Sequence, residues 1–152
     1  MIEFGRNADW TRRRRGAGKP ETFNFLGFTH ICARSGAGRF WIRRITIAKR
    51  MRAKLAEVKA ELRRRAHLPI PVQGRWLASV LRGHYAYYAV PGNSEAVQAF
   101  RFQVVWLWRR ALRRRSQRAR LNWARMKRIA NRWLPQPRVM HPFPAVRLAA
   151  RT

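Results

Sequence analysis

The apolar residues after Thr46 recur every three or four positions, which is the spacing of helices that bury one face. A first helix is predicted to begin at Thr46, whose hydroxyl can cap its N-terminus, and Pro69 and Pro71 interrupt the chain beyond it. A second helix is predicted from about Val72 to Tyr88. The residues predicted to face inward from these two helices are Met51, Leu55, Val58, Leu62, Leu77, Leu81, His84 or Tyr85, and Tyr88.

Two further helices are predicted after a Pro-Gly turn. Asn93 or Ser94 can cap the third helix, Glu95 falls in its first turn, where a negative charge is favourable, and the helix is predicted to end near Arg115. A fourth helix is predicted to start around Asn122, and the prolines beyond it indicate an extended tail. The residues predicted to face inward are Val97, Phe100, Val104, Leu107, Ala111, Trp123, Met126, Ile129 or Ala130, and Trp133.

The N-terminal third of the chain has a different pattern, typical of strands and loops. Residues 21–33 alternate and are rich in aromatic side chains, a turn with two glycines follows at 35–38, and 40–45 is again apolar, so a pair of strands is predicted. Residues 1–4 are short and partly apolar, like the end of a strand. Residues 6–19 hold four consecutive arginines and two glycines, which indicates a flexible basic loop.

Together these elements predict an α+β fold that is predominantly helical, with a short N-terminal β-hairpin or strand region and then an antiparallel helical bundle. Residues 1–45 form the strand region, 46–134 the helical domain and 135–152 a proline-rich tail. Apolar runs are too short for a membrane span and the first residues lack a signal-peptide pattern, so a cytoplasmic protein is expected. Cys32 is the single cysteine, so it has no internal disulfide partner.

The charge of the chain indicates the class of partner. The chain contains 35 Lys and Arg but only six Asp and Glu, which gives a net charge of +29, and residues 96–152 contain no acid. A polyanion would supply the counter-charge. Arginine pairs with phosphate and stacks on bases, and the many aromatic rings can also stack on bases. A solvated charge run is the alternative, but this charge density favours nucleic acid. The residues predicted to bind RNA are Arg12, Arg13, Arg14, Arg15, Arg75, Arg82, Arg109, Arg113, Arg114, Arg115, Arg125, Lys127, Arg128 and Arg132.

The scarcity of carboxylates argues against catalysis. Two-metal phosphoryl transfer needs clustered acids, and Asp9 is the only Asp in the chain. Glu57 and Glu61 lie on a helix dense in Lys and Arg, where intrahelical ion pairs are the expected role. The sequence has no phosphate-binding glycine loop, no nucleophile elbow and no metal-ligand set. We therefore expect no enzymatic activity, metal or cofactor for the chain as it stands.

Several segments, in order along the chain, resemble group II intron reverse transcriptases. Residues 22–30, with Phe-Leu-Gly-Phe at their centre, resemble the last conserved block of the palm, and residues 1–5 resemble the end of the block before it. Residues 76–88 are similar to the core of the maturase-specific domain. The matching continues through 91–94, Phe100, 107–117, 133–138 and 141–142.

The resemblance implies the end of the palm followed by the thumb, or X, domain. In that family this region binds intron RNA for splicing and grips the template–primer, so the implied partners are group II intron RNA, template–primer nucleic acid and the remaining, N-terminal part of a reverse transcriptase. The catalytic Tyr-x-Asp-Asp motif of the family is not in this sequence. The motif residues expected to be structural are Phe25, Leu26, Gly27, Phe28, Gly83, Tyr85, Tyr88 and Trp133.

Two alternatives remain beside this hypothesis. One is a standalone small basic protein that packages RNA or associates with ribosomes; the family order of the motifs speaks against it. The other is a cationic, membrane-active helical protein. Such a protein needs a strip of apolar residues opposite its charges, and this sequence has such a strip only where the core of a helical bundle also explains it.

Overall fold

A computed structural model of the chain describes residues 2–115 and 120–142. It confirms an α+β fold in which a three-stranded antiparallel sheet near the N-terminus precedes a set of helices. No helix in these two ranges has the length and apolar character needed to cross a membrane. The elements are α1 (Ala8–Arg14), β1 (Phe23–Phe25), β2 (Phe28–Arg34), β3 (Phe40–Thr46), α2 (Ala48–Arg64), α3 (Ile70–Tyr88), α4 (Ser94–Arg115) and α5 (Trp123–Trp133).

The basic segment before the sheet contains a short helix, so the prediction of a loop over 6–19 was wrong for residues 8–14, while residues 15–19 form no helix or strand. Asp9 lies in the first turn of α1 and its arginines in the last, where each charge complements the helix dipole. Arg12 then bonds to Glu3 and Glu21, which fixes α1 beside the chain segments on either side of it. Residues 2–4 form no strand, so that expectation was also wrong.

A two-residue turn at Leu26 and Gly27 joins β1 to β2, so the Phe-Leu-Gly-Phe motif forms a tight hairpin turn instead of one strand. Phe25 pairs with Phe28 across it, and both turn residues have positive φ, 47° and 81°. Two positive φ angles are typical of the hairpin turn that matches strand twist. A Cβ on Gly27 would also lie 3.0 Å from the Tyr88 hydroxyl, so glycine meets both a backbone and a packing requirement.

The second hairpin has the predicted turn. The Ser35 N–H donates to the Arg39 carbonyl, and the Gly38 N–H donates to the Ser35 carbonyl. These two bonds close the turn at residues 35–38 between β2 and β3. These strands then pair over seven residues, from Arg34 with Phe40 to Phe28 with Thr46.

Thr46 ends β3 instead of capping α2, whose N-cap is Ile47. The reason is Asn93, whose side-chain oxygen accepts the Thr46 N–H at 2.9 Å and whose side-chain nitrogen donates to the Thr46 hydroxyl at 2.8 Å. The same nitrogen donates to the Tyr88 carbonyl at 2.8 Å. Asn93 is buried, so this satisfied amide ties the end of the sheet to the α3–α4 turn.

The helices form an up-and-down bundle. Thr46 and Asn93 bring the beginnings of α2 and α4 together, and at the other end Arg115 donates to the Leu68 carbonyl just after α2. Therefore α2 and α4 pack side by side and run in the same direction, α3 runs in the opposite direction and packs against α4, and α5 packs against α3 and α4. The shared core consists of Val58, Leu62, Leu77, Leu81, Tyr85, Val97, Phe100, Val104, Trp108, Met126 and Ala130, with further apolar residues around them.

The inward face of α4 is rotated from the predicted one. Trp108 and Leu112 are buried, whereas Leu107 and Ala111, which were predicted inward, are only partly covered. The Trp108 indole N–H donates to the side-chain oxygen of buried Gln73 at 2.8 Å. Because a buried indole needs an acceptor, this bond fixes Trp108 toward α3. The prediction of Trp123 as inward-facing was also wrong, since its side chain is 42% exposed.

The tail after α5 returns along α3. The Pro135 carbonyl accepts a bond from the Tyr85 hydroxyl at 3.2 Å, and the Met140 N–H donates to the Ala89 carbonyl at 2.9 Å. Residues 135–142 of the predicted tail form no helix or strand, and the remainder of the tail lies outside the described residues.

Helix α3 contacts α5 most closely at Gly74. A Cβ on this glycine would lie 2.7 Å from Cγ and 2.8 Å from Cβ of Trp133, closer than atoms can pack. The Trp133 Cβ is attached directly to the backbone, so α5 itself would have to move. At Gly83, on the same helix, nothing lies within 4 Å of an added Cβ.

We expect Gly74→Ala to lower the free energy of unfolding by about 1–2 kcal/mol, because overpacking outweighs the helix-propensity gain. The matched variant Gly83→Ala keeps that gain without a clash and should raise stability by about 1 kcal/mol. Urea denaturation of both variants measures the difference. Equal effects of the two alanines would contradict the close α3–α5 contact.

Candidate nucleic-acid interface

All six carboxylates of the chain are ion-paired, and none lies on α5 or on α4 beyond its first turn. In α1 and the segments around it, Glu3 and Glu21 pair with Arg12, and Asp9 with Arg13. Glu57 and Glu61 pair with basic residues of α2 or just after it, as predicted. Six scattered acids thus neutralise basic residues near the sheet and α2, and the last two helices keep their positive charge. The remaining pairs are Arg15 with Glu3 and Arg43 with Glu95.

The first basic surface is a groove of about 240 Å³ between α2 and α4, which we call the α2–α4 groove. Its floor is apolar and its rim carries five bases from two helices and no acid. Lys59 and Arg63 are one helical turn apart on α2, as are Arg110 and Arg114 on α4, so the two pairs form facing rows. The lining residues are Lys59, Leu62, Arg63, Ala66, Leu107, Arg110, Ala111, Arg114 and Arg115.

The second basic surface is the outer face of α5. Arg125, Arg128 and Arg132 are spaced by three and four residues and are exposed opposite buried Met126 and Ala130. Cations in such a row can meet successive phosphates of a nucleic acid.

Helix α3, which packs against α5, also carries exposed bases. Arg75 and Arg82 are exposed and seven residues apart, so they share one side of α3. That side adjoins Gly74, which contacts Trp133 of α5. The outer bases of α3 and α5 therefore lie on neighbouring helices.

A third feature, the α4–α5 groove, combines cations with exposed rings. It has a volume of about 840 Å³, and Phe102 and Trp123 lie in its wall with nearly parallel rings, 6.1 Å between centroids and 12° between planes. The Arg109 guanidinium lies over the Trp123 ring, 4.6 Å from its centroid, and donates to the Leu121 carbonyl at 3.1 Å. Arg101 and Lys127 supply positive charge along the same groove.

The predicted RNA-binding arginines do not all share one role. Arg12 is half-buried between Glu3 and Glu21, and its position is that of a structural ion pair. The other three arginines of the run are exposed, with Arg13 paired to Asp9, Arg15 paired to Glu3, and Arg14 over the Trp10 ring.

The predicted basic residues of α4 are divided in the same way. Arg109 fastens α4 to the segment before α5, and Arg115 holds the Leu68 carbonyl at 2.7 Å. Arg113 and Arg114 are consecutive, so their side chains leave α4 about 100° apart. Of these two, Arg114 lines the α2–α4 groove and Arg113 does not. The prediction treated 113–115 as one unit, and the structure separates them.

Sequence reasoning did not single out several residues of the two grooves. Lys59 and Arg63 lie on a predicted helix described only as dense in Lys and Arg, and the sequence offered no reason to group Arg101 with Phe102. The i, i+4 spacing of both basic pairs was visible in the sequence, but pairing one row with the other requires the parallel arrangement of α2 and α4. The missed residues are Lys59, Arg63, Arg101, Phe102 and Arg110.

The motif residues expected to be structural also differ in role. Tyr85 is buried and its hydroxyl is bonded, as expected, and burial raises its pKa to about 12 even though nearby Arg101 acts in the opposite direction. Phe28 is buried, and Tyr88 packs against it edge-on. Phe25 and Leu26 are 58% and 65% exposed, so the sheet end presents an apolar surface instead of a core.

No metal centre is evident in the described part of the chain, where no group of three or more His, Cys, Asp or Glu side chains could hold an ion. Scans against models of protein families, against curated proteins and against solved structures find no match to this chain.

Proposed function

We propose that this chain is an RNA-binding module whose cationic helices hold structured RNA. The observation that carries the proposal is the distribution of charge: every carboxylate is paired, and α4 after its first turn and α5 present bases alone. A surface kept polar only for solubility would intersperse both signs. Rows of arginine on the α2–α4 groove and on α5 instead suit the phosphates of a folded RNA.

The RNA we propose is a group II intron, on the strength of the sequence resemblance. In this proposal the chain corresponds to the end of the palm and the thumb of an intron-encoded reverse transcriptase, and it acts in the cytoplasm. It assists splicing and grips template–primer, and it carries no polymerase chemistry because it lacks the Tyr-x-Asp-Asp motif. The remainder of a reverse transcriptase is then a further partner.

Binding to a group II intron RNA, compared with a scrambled RNA of equal length, tests this proposal. We expect the intron RNA to bind about tenfold or more tightly, because helices with fixed spacing select phosphates arranged by RNA shape. Crosslinks should fall on α2 to α5. Equal affinity for both RNAs would support a standalone basic RNA-binding protein instead, and crosslinks confined to Arg12–Arg15 would overturn the assignment of the helices.

A further inference from the structure

The α4–α5 groove leaves two large aromatic side chains in contact with solvent beside the hydrophobic core. Phe102 is 58% exposed and Trp123 is 42% exposed, although Val105 and Ala130 in the same groove belong to the buried core. At about 840 Å³ the groove falls in the size range of small-molecule sites. The structure therefore has a binding-sized recess with flat apolar walls.

The aromatic wall is held in place by contacts on both helices. Arg109 lies over Trp123 while its side chain donates to the Leu121 carbonyl, two residues before that ring in sequence. The Asn122 side chain also accepts the Arg125 N–H at 2.9 Å and caps α5 directly before Trp123. A ring whose backbone and covering cation are both fixed needs little reordering when a ligand stacks on it.

The other end of the groove is polar and positively charged. The Arg101 guanidinium donates to the Pro135 carbonyl at 3.1 Å and to the Asn131 side-chain oxygen at 3.3 Å. Gln136 donates to the same oxygen at 3.1 Å, so this cluster is fixed as well. Lys127 lies between this cluster and the rings and forms no ion pair with any residue that the structure describes.

From this arrangement we propose that the α4–α5 groove binds an unpaired nucleotide of the RNA, with its base on Trp123 and Phe102 and its phosphate at Lys127. A base offers a flat π-face to the rings and hydrogen-bonding edges to amides, and its phosphate needs a cation within one nucleotide of the ring. No carboxylate lines the groove to oppose the phosphate. This site rests on the proposed RNA-binding function and adds base contacts to phosphate contacts.

The charge of the groove distinguishes this occupant from a second copy of the chain. Each copy has a net charge of +29, so bringing two basic grooves or helices together is opposed by repulsion. A nucleotide has the opposite charge and the flat shape that the rings require.

The test compares a short single-stranded RNA with an abasic sugar–phosphate strand of the same length. Electrostatic contacts are the same for both strands, so the ratio of their affinities isolates the contribution of the bases. We expect the unsubstituted chain to prefer the base-bearing strand by about 5- to 150-fold, from one stacked base. Trp123→Leu should abolish most of that preference and leave the affinity for the abasic strand unchanged, whereas Trp123→Phe should keep part of it.

Trp10→Leu is the matched control, because Trp10 is 61% exposed and also has an arginine over its ring, but lies on α1. It should retain the full preference. Phe102→Leu provides a second variant if thermal denaturation shows that Trp123→Leu unfolds the chain.

Each contrary outcome has a distinct meaning. An unsubstituted chain that binds both strands equally, or a preference that survives Trp123→Leu and Phe102→Leu, overturns the base site and leaves RNA binding intact. Failure to bind either strand or structured RNA overturns the proposed function itself. Micromolar binding of free AMP would identify a mononucleotide site instead, and self-association lost in Trp123→Leu with an unchanged strand preference would identify a second copy as the occupant.

Discussion

Replacing Arg63, Arg110 and Arg114 with glutamine should lower the affinity for structured RNA on the order of a hundredfold at low salt. These side chains form the facing rows of the α2–α4 groove, and none of them pairs with an acid in the described part of the chain. Removing three phosphate contacts should also reduce the log–log salt slope by about 2. Because these side chains are on the groove rim, thermal stability should change little.

The matched control removes the same charge from the sheet region. Arg6, Arg34 and Arg39 are exposed and distant from the groove in sequence and fold. Replacing all three with glutamine removes three positive charges, as the groove variant does. We expect this control variant to weaken binding by only a few-fold, through the general field of the protein. Equal losses from both triple variants would mean that net charge alone drives binding and that the groove has no special role.

The free energy of unfolding should fall by about 3 kcal/mol as the pH is lowered from 6.5 to 4, because of His84. Burial, together with the positive charge of Lys54, lowers the pKa of this histidine from 6.5 to about 4. Its ring is stacked on Phe100 at 3.7 Å, and its Nε2 atom is buried without a partner in the described residues.

The sign follows from which state binds the proton. Above pH 6.5 the imidazole is neutral in both states and contributes no pH dependence. Between pH 6.5 and 4 the unfolded chain takes up a proton that the folded chain does not, so stability decreases on acidification. The loss is complete below pH 4, where both states are protonated.

Chemical denaturation at several pH values measures this effect. His84→Phe keeps a ring against Phe100 and removes the titrating group, so its stability should fall less steeply over this range. His67→Gln, at an exposed position, is the control and should behave like the unsubstituted chain. Parallel pH curves for His84→Phe and the unsubstituted chain would show that another group causes the decline.

The bundle could be predicted because its helices repeat apolar residues at helical spacing. Leu77, Leu81 and Val104 are completely buried where the period placed them. The period could not choose between Leu107 and Trp108, since both are large and apolar; that choice depends on Gln73 of a different helix. Helix α1 was missed because Arg-rich residues without an apolar stripe give no periodic signal, and its ion pairs with distant glutamates become visible only in the fold.

The sites were less predictable than the fold for a related reason. The sequence shows which residues are cationic, but it does not show which of them are already bonded to other groups of the folded chain. Arg109 and Arg115 bond to backbone carbonyls, whereas Lys59 and Arg63 are free to form the rim of a groove with α4. Trp123 was predicted to be core because its position fits the apolar period at the beginning of α5, but there it lies beside Phe102 and Arg109 of α4 and stays 42% exposed.

The most direct test of the central claim is the salt dependence of the affinity of the unsubstituted chain for a structured group II intron RNA. If the basic helical faces bind phosphates, at least four contacts should form together, and the log of the association constant should fall with the log of salt concentration with a slope of about −3 or steeper. An affinity that stays constant from low to moderate salt would contradict binding through these cationic surfaces.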